Sequence, residues 1–223
     1  YTLRLEQTRI LVYLGEPLPY AVAQEIYLEM IPVTGSYINA GIWTIRLEPV
    51  MTITGQYYLY LPAGNGRGDS TGFYRSTPQV TLTVPSTAAK VITVGAYDPV
   101  YDTYADFSGR GYADSTRTIG VAAAGLTKPD LVAPGVNIRA PDVYGTFTPV
   151  TGTSFATPIV SGAAALLMEW GIVRGNDPFL YGEKVKAYLR KGARPLRGER
   201  EYPNDRVGYG KLCVAESFPN TID

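Results

Sequence analysis

The sequence predicts an α/β protein in which a parallel-sheet domain with packed helices follows a region of antiparallel β-structure. Three observations lead to this fold class. Short β-branched and aromatic segments separated by turn residues fill residues 1–62, a pattern typical of antiparallel sheets. Lys90–Ala96 is a continuous apolar run, as expected of a parallel strand covered on both faces. Ser154–Trp170 is apolar nearly all round and has the length of a helix, which predicts a buried helix.

Composition limits the possible partners and chemistry. The chain has 223 residues, of which 45% are hydrophobic and 18% charged, as in globular proteins. Its 20 basic and 20 acidic residues cancel and no apolar run reaches the length of a membrane span, so we expect neither nucleic acid nor membrane as a partner. Cys213 is the single cysteine and histidine is absent, which excludes an internal disulfide framework and an imidazole base within the chain. We predict no metal and no cofactor.

The first third of the chain contains four strand-like segments, which predict part of an antiparallel sandwich or jelly roll. They are Thr2–Leu5, Arg9–Leu14, Glu25–Met30 and Gly41–Leu47. Glycine and proline residues between them supply turns. A further segment, Tyr57–Leu61, is also strand-like and is rich in tyrosine.

The pattern changes after a loop of turn-forming residues at Ala63–Gln79. The apolar strand Lys90–Ala96 comes next. Pro129–Gly135 is predicted to be a short strand that ends in a turn, and Tyr144–Pro149 one arm of a hairpin. These elements would contribute strands to the parallel-sheet domain and lead the chain into the apolar helix.

A second helix is predicted after the apolar one. Asp177 followed by Pro178 is typical of an N-cap and a first helical residue. The amphipathic stretch that follows ends at Gly192, a common residue just beyond a helix. Its predicted buried residues are Val185, Tyr188 and Leu189.

Thr153 and Ser154 stand directly before the apolar helix, and two interpretations of them are open. Either hydroxyl could simply cap the helix. Alternatively, Ser154 is a nucleophile, because its own N–H is among the unpaired amides of the first turn and the helix dipole adds partial positive charge there. Such donors suit an oxyanion, and a base beside the hydroxyl would complete the site. Gly152 permits a sharp entry to the helix, and Pro158 is tolerated because it lies near the helix start.

Several motifs, in the right order, resemble those of the subtilisin-like serine proteases, or subtilases. They are VITVGA at residues 91–96, DFSGRG at 106–111, KPDLVAPG at 128–135, the serine segment GTSFATPIVSG at 152–162, and GYGKL at 208–212. Together they cover about residues 80–216. A match of this length favours the nucleophile over the simple cap.

The resemblance implies that Ser154 attacks peptide or protein substrates and forms an acyl-enzyme. It also implies that the Ser154 N–H, helped by the Thr153 hydroxyl, contributes to the oxyanion hole. In this family the triad residues occur along the chain in the order Asp, His, Ser. We therefore expect Asp and His to come from a missing N-terminal part of the same protease, and this chain alone to be inactive. The absence of an initiator methionine before Tyr1 agrees with that expectation.

Two other segments resemble functional elements of the subtilases. Ala63–Gly66 is similar to the segment whose asparagine side chain completes the oxyanion hole, which would give that role to Asn65. The tyrosine-rich segment before it argues against this role, since a central parallel strand should be small and aliphatic. Val84, Pro85 and Ser86 are similar to one wall of the substrate pocket, and a plain strand-to-loop turn is the alternative.

A narrower resemblance is to the Csp-type subtilases, which act in bacterial spore germination. It rests on LMEWGIVRGNDP at residues 167–178 and on residues 181–189. Members of that group carry a jelly-roll domain inserted between the histidine and the serine of the triad. We therefore predict that residues 1–78 are the C-terminal part of this insertion and residues 79–223 the C-terminal part of the catalytic domain. On this assignment the oxyanion asparagine lies upstream of the insertion, in the missing part, and is not Asn65. The same resemblance implies a bacterial protein that is secreted or spore-associated.

Two other functions remain open. Some relatives in the Csp group have lost triad residues, so a catalytically dead pseudoprotease that acts as a sensor or scaffold is the alternative. The upstream histidine would decide between them. A carbohydrate-binding β-sandwich would explain residues 1–78 but none of the later motifs.

Overall fold

A computed structural model describes residues 1–17, 24–51, 55, 57–61, 71–111 and 127–219. The chain divides into two compact units, the first within Tyr1–Phe73 and the second from Tyr74 onward. Each unit has its own β-structure. The second contains Ser154 and most of the buried core.

The first unit contains a three-stranded antiparallel sheet in which the middle strand pairs with both neighbours. Its strands are β1 (Thr2–Leu5), β2 (Thr8–Leu14) and β3 (Ile26–Pro32), in the order β1-β2-β3. Three of the four predicted strands are thus confirmed, with ends within two residues of those predicted. Alternate side chains share a face, and Thr8 and Ile10 are buried on one of them.

Two segments that were expected to be strands do not form strands. Gly41–Leu47 and Tyr57–Leu61 are irregular, and Ile42 is almost fully exposed. A β-branched and aromatic pattern favours a strand only where the backbone finds a pairing partner, and the described residues supply none here. Trp43 instead donates its indole N–H to the carbonyl oxygen of Asn39 at 3.2 Å.

The second unit is built on a small mixed sheet. Its strands are β4 (Val94–Asp98), β5 (Thr103–Tyr104) and β6 (Leu131–Pro134), in the order β5-β4-β6. β4 pairs in parallel with β6, which confirms the predicted parallel strands, although β4 begins four residues later than Lys90. Ala96 and Ala133 are fully buried where these two strands pair.

A hairpin connects the sheet to the serine segment. β7 (Ile138–Pro141) and β8 (Phe147–Val150) pair antiparallel, with Ile138 opposite Val150 at the base. The predicted hairpin arm is confirmed. Because β7 begins just after β6 ends, the hairpin returns the chain to the carboxyl end of β6.

Helix α1 (Thr153–Met168) packs against β4 and β6 through a single face. The buried residues on this face are Ala156, Val160, Ala163 and Leu167, which recur every three or four positions as one helical stripe requires. The expectation that this helix is buried all round is wrong: Leu166 and Met168 are about half exposed, at 50% and 45%. Within the described residues, the helix is covered by the sheet and by α2, whose Val185 and Leu189 share its core cluster.

A π-helical turn, Glu169–Val173, continues α1. By length and apolar composition, Thr153–Val173 could cross a membrane. One face of its α1 part packs against β4 and β6. Trp170 in the π-helical turn makes edge-to-face contacts with the rings of Tyr188 and Phe218.

Helices α2 (Gly182–Lys191) and α3 (Val214–Ser217) complete the second unit. The prediction that Asp177 caps α2 is wrong, because Tyr181 is the N-cap. The Asp177 carboxylate instead accepts hydrogen bonds from Lys184 Nζ at 2.7 Å and the Tyr188 hydroxyl at 3.0 Å. α2 does end at Gly192, and its buried residues are Val185, Lys186 and Leu189.

Candidate active site

Ser154 is the second residue of α1, and its side chain is exposed. The residue that caps the helix is Gly152, which has no side chain and whose φ of 151° lies in the region that favours glycine. The interpretation of Thr153 or Ser154 as a simple helix cap is therefore wrong. The Ser154 hydroxyl is left accessible at the start of a helix.

The first turn of α1 presents amide donors around this hydroxyl. The Ser154 N–H has no carbonyl four residues earlier within the helix, so it is one of the orphan amides of the first turn. The helix dipole adds positive potential at the same place. Pro158 has no N–H and therefore leaves the Ser154 carbonyl without its helical partner. Thr157 donates its hydroxyl to the Thr153 carbonyl oxygen at 2.9 Å.

Backbone contacts fix where the chain enters α1. The Gly152 N–H donates to the Gly135 carbonyl oxygen at 2.8 Å, and the Gly135 N–H donates to the Tyr97 carbonyl oxygen at 3.0 Å. A Cβ atom on Gly135 would lie 2.6 Å from the Ala96 Cβ atom, so only glycine fits this junction. The loop that carries Ser154 is thus tied directly to the carboxyl ends of β4 and β6.

The predicted pocket wall forms a turn beside the start of β4. Val84 and Pro85 are joined by a cis peptide bond, and Val84 is 87% exposed. The Ser86 carbonyl oxygen accepts the Thr93 hydroxyl at 2.6 Å, so the turn is fixed to the residue that precedes β4. The role of this turn in substrate binding stays a prediction. Asn65, the other predicted oxyanion donor, lies outside the described residues.

A buried charge cluster at the amino end of β6 was missed by the sequence analysis. Asp130 is fully buried, and its Oδ2 atom accepts from Lys128 Nζ at 2.9 Å and from the Thr93 amide at 2.6 Å. Its Oδ1 atom accepts from Arg190 Nε at 2.8 Å and lies 3.1 Å from Lys186 Nζ. The cluster therefore joins β6 to α2 and to the residues before β4. We name it the Asp130 cluster.

Lys128 is the most deeply buried cation of the Asp130 cluster, with no exposed side-chain surface. Burial lowers the pKa of Lys128 below its ordinary value, and the hydrogen bond to Asp130 acts in the opposite direction. Lys128 Nζ also donates to the Val91 carbonyl oxygen at 2.7 Å and the Thr93 hydroxyl at 2.8 Å, so each of its three protons has an acceptor. In the sequence, only the opposite charges of Lys128 and Asp130 beside an apolar strand hint at a local pair, and they do not reveal the partners in α2.

No metal centre is evident in the described residues, where no group of three or more carboxylate or thiol side chains is placed to hold an ion. Among the acidic residues of the second unit, Asp102 pairs with Lys211 at 2.6 Å. Asp98 accepts the Val100 amide at 2.8 Å in a local turn.

The exposed Ser154 hydroxyl and the orphan amides of the first turn of α1 thus lie at the carboxyl ends of the parallel strands β4 and β6. Residues 55–210 match the subtilase family, peptidase S8. The chain belongs to this family. The matched range includes Ser154, the turn at Val84 and the Asp130 cluster.

Individual subtilases resemble the chain in sequence and in structure. Serine protease AprX of Bacillus subtilis is 34% identical over 159 residues, which cover 62% of this chain and 32% of AprX. Subtilisin BL of Lederbergia lenta is 32% identical over 126 residues, which cover 56% of this chain and 39% of that protein.

The CspB protease of Clostridium perfringens has a similar structure, with a TM-score of 0.75 and 34% identity over 97% of this chain and 43% of the CspB chain. The predicted resemblance to the Csp-type subtilases is therefore confirmed. The chain spans less than half the length of each of these three relatives.

Proposed function

We propose that this chain supplies the nucleophile of a serine endopeptidase, with Ser154 forming the acyl-enzyme. The observation that carries the proposal is the Ser154 hydroxyl in the first turn of α1, which is exposed and does not cap the helix. In the proposed reaction, Ser154 Oγ attacks the scissile carbonyl carbon while an imidazole takes its proton. That proton passes to the leaving amine as the C–N bond breaks, and water then hydrolyses the ester.

The oxyanion of the tetrahedral intermediate would form beside the start of α1. The Ser154 N–H is the main donor in our proposal, and the Thr153 hydroxyl assists it. An asparagine side chain is proposed as a further donor. If residues 1–78 belong to an inserted domain, that asparagine comes from the missing N-terminal part; Asn65 is the donor only if they do not. The turn of Val84, Pro85 and Ser86 would form one wall of the substrate pocket, a role that its exposed position supports.

The base and its orienting carboxylate would come from another segment of the same protease. Histidine is absent from the chain, and serine proteases of this kind need an imidazole within hydrogen-bond reach of the nucleophile. The chain covers only 43% of the CspB protease, which leaves room for a segment with both residues. The chain by itself would then be inactive.

The narrower biological role follows the similarity to the CspB protease. We propose that residues 1–78 belong to an inserted jelly-roll domain, residues 79–223 to the catalytic domain, and that the protease processes a precursor in spore germination. The antiparallel sheet of β1, β2 and β3 supports the first part of this proposal. A bacterial, secreted or spore-associated protein would fit this role.

A pseudoprotease that senses or scaffolds is the alternative, and labelling of the active-site serine separates the two. In the intact protease that contains this chain, a fluorophosphonate should label Ser154, and Ser154→Ala should abolish labelling. The same substitution should lower kcat for a peptide substrate by about four orders of magnitude or more.

Ser161→Ala is the matched control for this experiment. Ser161 lies on the same helix, is exposed, and donates to the Thr157 carbonyl oxygen at 3.2 Å. It should retain labelling and hydrolysis. A folded wild-type protein that is neither labelled nor active would favour the pseudoprotease.

A further inference from the structure

The hairpin of β7 and β8 has two chemically different faces. Alternate residues of a strand point to opposite sides. On one side Ile138, Ala140 and Val150 are half-buried and Thr148 is exposed. The other face is exposed and consists of Arg139, Pro141, Phe147 and Pro149. We name these four residues the outward hairpin face.

The outward hairpin face carries a cation that has an aromatic neighbour but no carboxylate. The Arg139 guanidinium lies over the Phe147 ring, 5.7 Å from its centroid, and Phe147 is 58% exposed. Within the described part of the chain, Arg139 takes part in no salt bridge. A guanidinium held by a ring keeps its fork of N–H donors free for a carboxylate.

Asp142 is the one acidic residue of the hairpin, and its carboxylate binds groups of the hairpin turn. The Asp142 carboxylate accepts from the Tyr144 amide at 2.8 Å and from the Thr146 amide at 3.0 Å, and it also accepts the Thr146 hydroxyl. These bonds lower the pKa of Asp142, the hydroxyl bond most. Asp142 lies one residue beyond β7, and the alternation of Ile138 and Ala140 continues to it, which places it on the side of the hairpin opposite to Arg139. It therefore fixes the turn and does not neutralise Arg139.

The outward hairpin face lies within reach of a peptide bound at Ser154. Pro149, opposite Arg139, is five residues from Ser154, so at most about 18 Å of chain separates their Cα atoms. An extended peptide covers that distance with about five residues. The Asn137 amide donates to the Thr151 hydroxyl at 3.0 Å, which closes the base of the hairpin beside the nucleophile.

We propose that the outward hairpin face is a specificity surface of the protease, where Arg139 binds an acidic side chain of the substrate and Phe147 contacts an apolar neighbour. The acidic residue lies within about five positions of the scissile bond. This inference rests on the proposed function, because it takes a peptide at Ser154 as the occupant. It adds to the proposed cleavage reaction a preference for substrates with an acidic residue beside an apolar one.

The test uses pairs of peptides that are identical except at one position, which is Asp in one peptide and Lys in the other. That position is varied from the second to the fifth residue on each side of the scissile bond. The intact protease should cleave the Asp peptide with a kcat/KM about twofold to fivefold higher, the range expected for an exposed ion pair. Arg139→Glu should reverse this preference, and Arg139→Lys should keep it. The preference should shrink at about 0.5 M salt, where exposed charges are screened.

Arg197→Glu is the control, because Arg197 is exposed on the loop after Leu196 and the substitution changes net charge equally. It should leave the preference unchanged. Equal kcat/KM for both peptides in the wild type and in Arg139→Glu overturns the inference while leaving the protease function intact.

Binding separates the inference from the proposed function. Fluorescence anisotropy of the same peptide pairs on the Ser154→Ala protein measures affinity without cleavage. A tighter Kd for the Asp peptide, reversed by adding Arg139→Glu, supports the surface even if no hydrolysis occurs. Indistinguishable Kd values for the two peptides overturn it.

Discussion

The two ends of strand β6 differ in burial and in the interactions that fix them. At its amino end, Asp130 is fully buried and held by charged side chains from α2 and from Lys128. At its carboxyl end, Gly135 is held by backbone hydrogen bonds alone, and the nearby Ser154 side chain is exposed. One end joins the elements of the unit together, and the other presents the Ser154 hydroxyl to solvent.

This division follows from the energetics of charge. Three cations around one buried carboxylate lose hydration, and they regain that free energy only through close, well-directed hydrogen bonds. Such a cluster tolerates little movement. A nucleophile needs access and free donors instead, and in α/β sheets ligands bind at the carboxyl ends of the strands. Substitutions at the amino end should therefore change stability, and those at the carboxyl end should change catalysis.

Asp130→Ala should produce the largest loss of stability. The side chain of Lys128 is fully buried and that of Lys186 is 7% exposed. The substitution removes the carboxylate with which both of these buried cations pair. Breaking a buried pair in this way costs about 3–5 kcal/mol. Urea unfolding of the intact protease should show a correspondingly lower midpoint.

Asp106→Ala is the matched control for Asp130→Ala, because Asp106 is exposed. Its effect should stay within about 0.5 kcal/mol. Lys128→Met should destabilise less than Asp130→Ala, since Asp130 keeps two cations. A loss of less than about 1 kcal/mol for Asp130→Ala would contradict a stabilising role for the cluster.

Gly135→Ala should disturb the carboxyl end of β6 with a smaller cost in stability. The new Cβ atom would lie 2.6 Å from the Ala96 Cβ atom and 3.1 Å from the Gly152 carbonyl oxygen. Overpacking of this kind costs about 1–3 kcal/mol. Because Gly152 would be displaced together with Ser154, kcat should fall up to about a hundredfold, with a smaller change in KM.

Gly162→Ala is the control for Gly135→Ala, because it makes the same substitution at a site where the new Cβ atom has no close neighbour. Gly162 lies in α1, and a Cβ atom there meets nothing within 4 Å. It should leave kcat unchanged and should not destabilise the helix. If Gly135→Ala kept wild-type kcat, the junction would not position the nucleophile.

Local patterns predicted the parts of the fold whose contacts are close in sequence. β1, β2 and β3 follow one another along the chain, so alternation and turn residues were enough. Gly41–Leu47 has the same composition but no pairing partner in the described residues, and no pattern within the segment could reveal that. The segment of Ser154 is a continuous motif, so the sequence alone could predict the family, which the match to the subtilases confirms; the role of Ser154 stays a prediction.

The Asp130 cluster could not be predicted because it depends on contacts far apart in sequence. Arg190 lies 60 residues beyond Asp130, and nothing in the amphipathic pattern of α2 marks it or Lys186 as partners of a buried carboxylate. The same limit explains the start of α2. Asp177 resembles a cap locally, but Lys184 and Tyr188 occupy its carboxylate.

The Asp177–Lys184 pair is a partly exposed counterpart of the Asp130 cluster and should give the smallest effect. The Lys184 hydrogen bond lowers the pKa of Asp177 below its ordinary value of 3.8, and Asp177 in turn raises the pKa of Lys184. A carboxylate with a depressed folded pKa stabilises the fold above about pH 4 and loses that contribution as the pH falls through the folded pKa. The difference in urea midpoint between the wild type and Asp177→Asn should therefore shrink from about pH 6 to about pH 3. Lys184→Met should reduce the acid sensitivity of the wild type in the same way, because it removes the principal cause of the depressed pKa. A difference that stays constant over this range would mean that the carboxylate charge of Asp177 contributes nothing to stability.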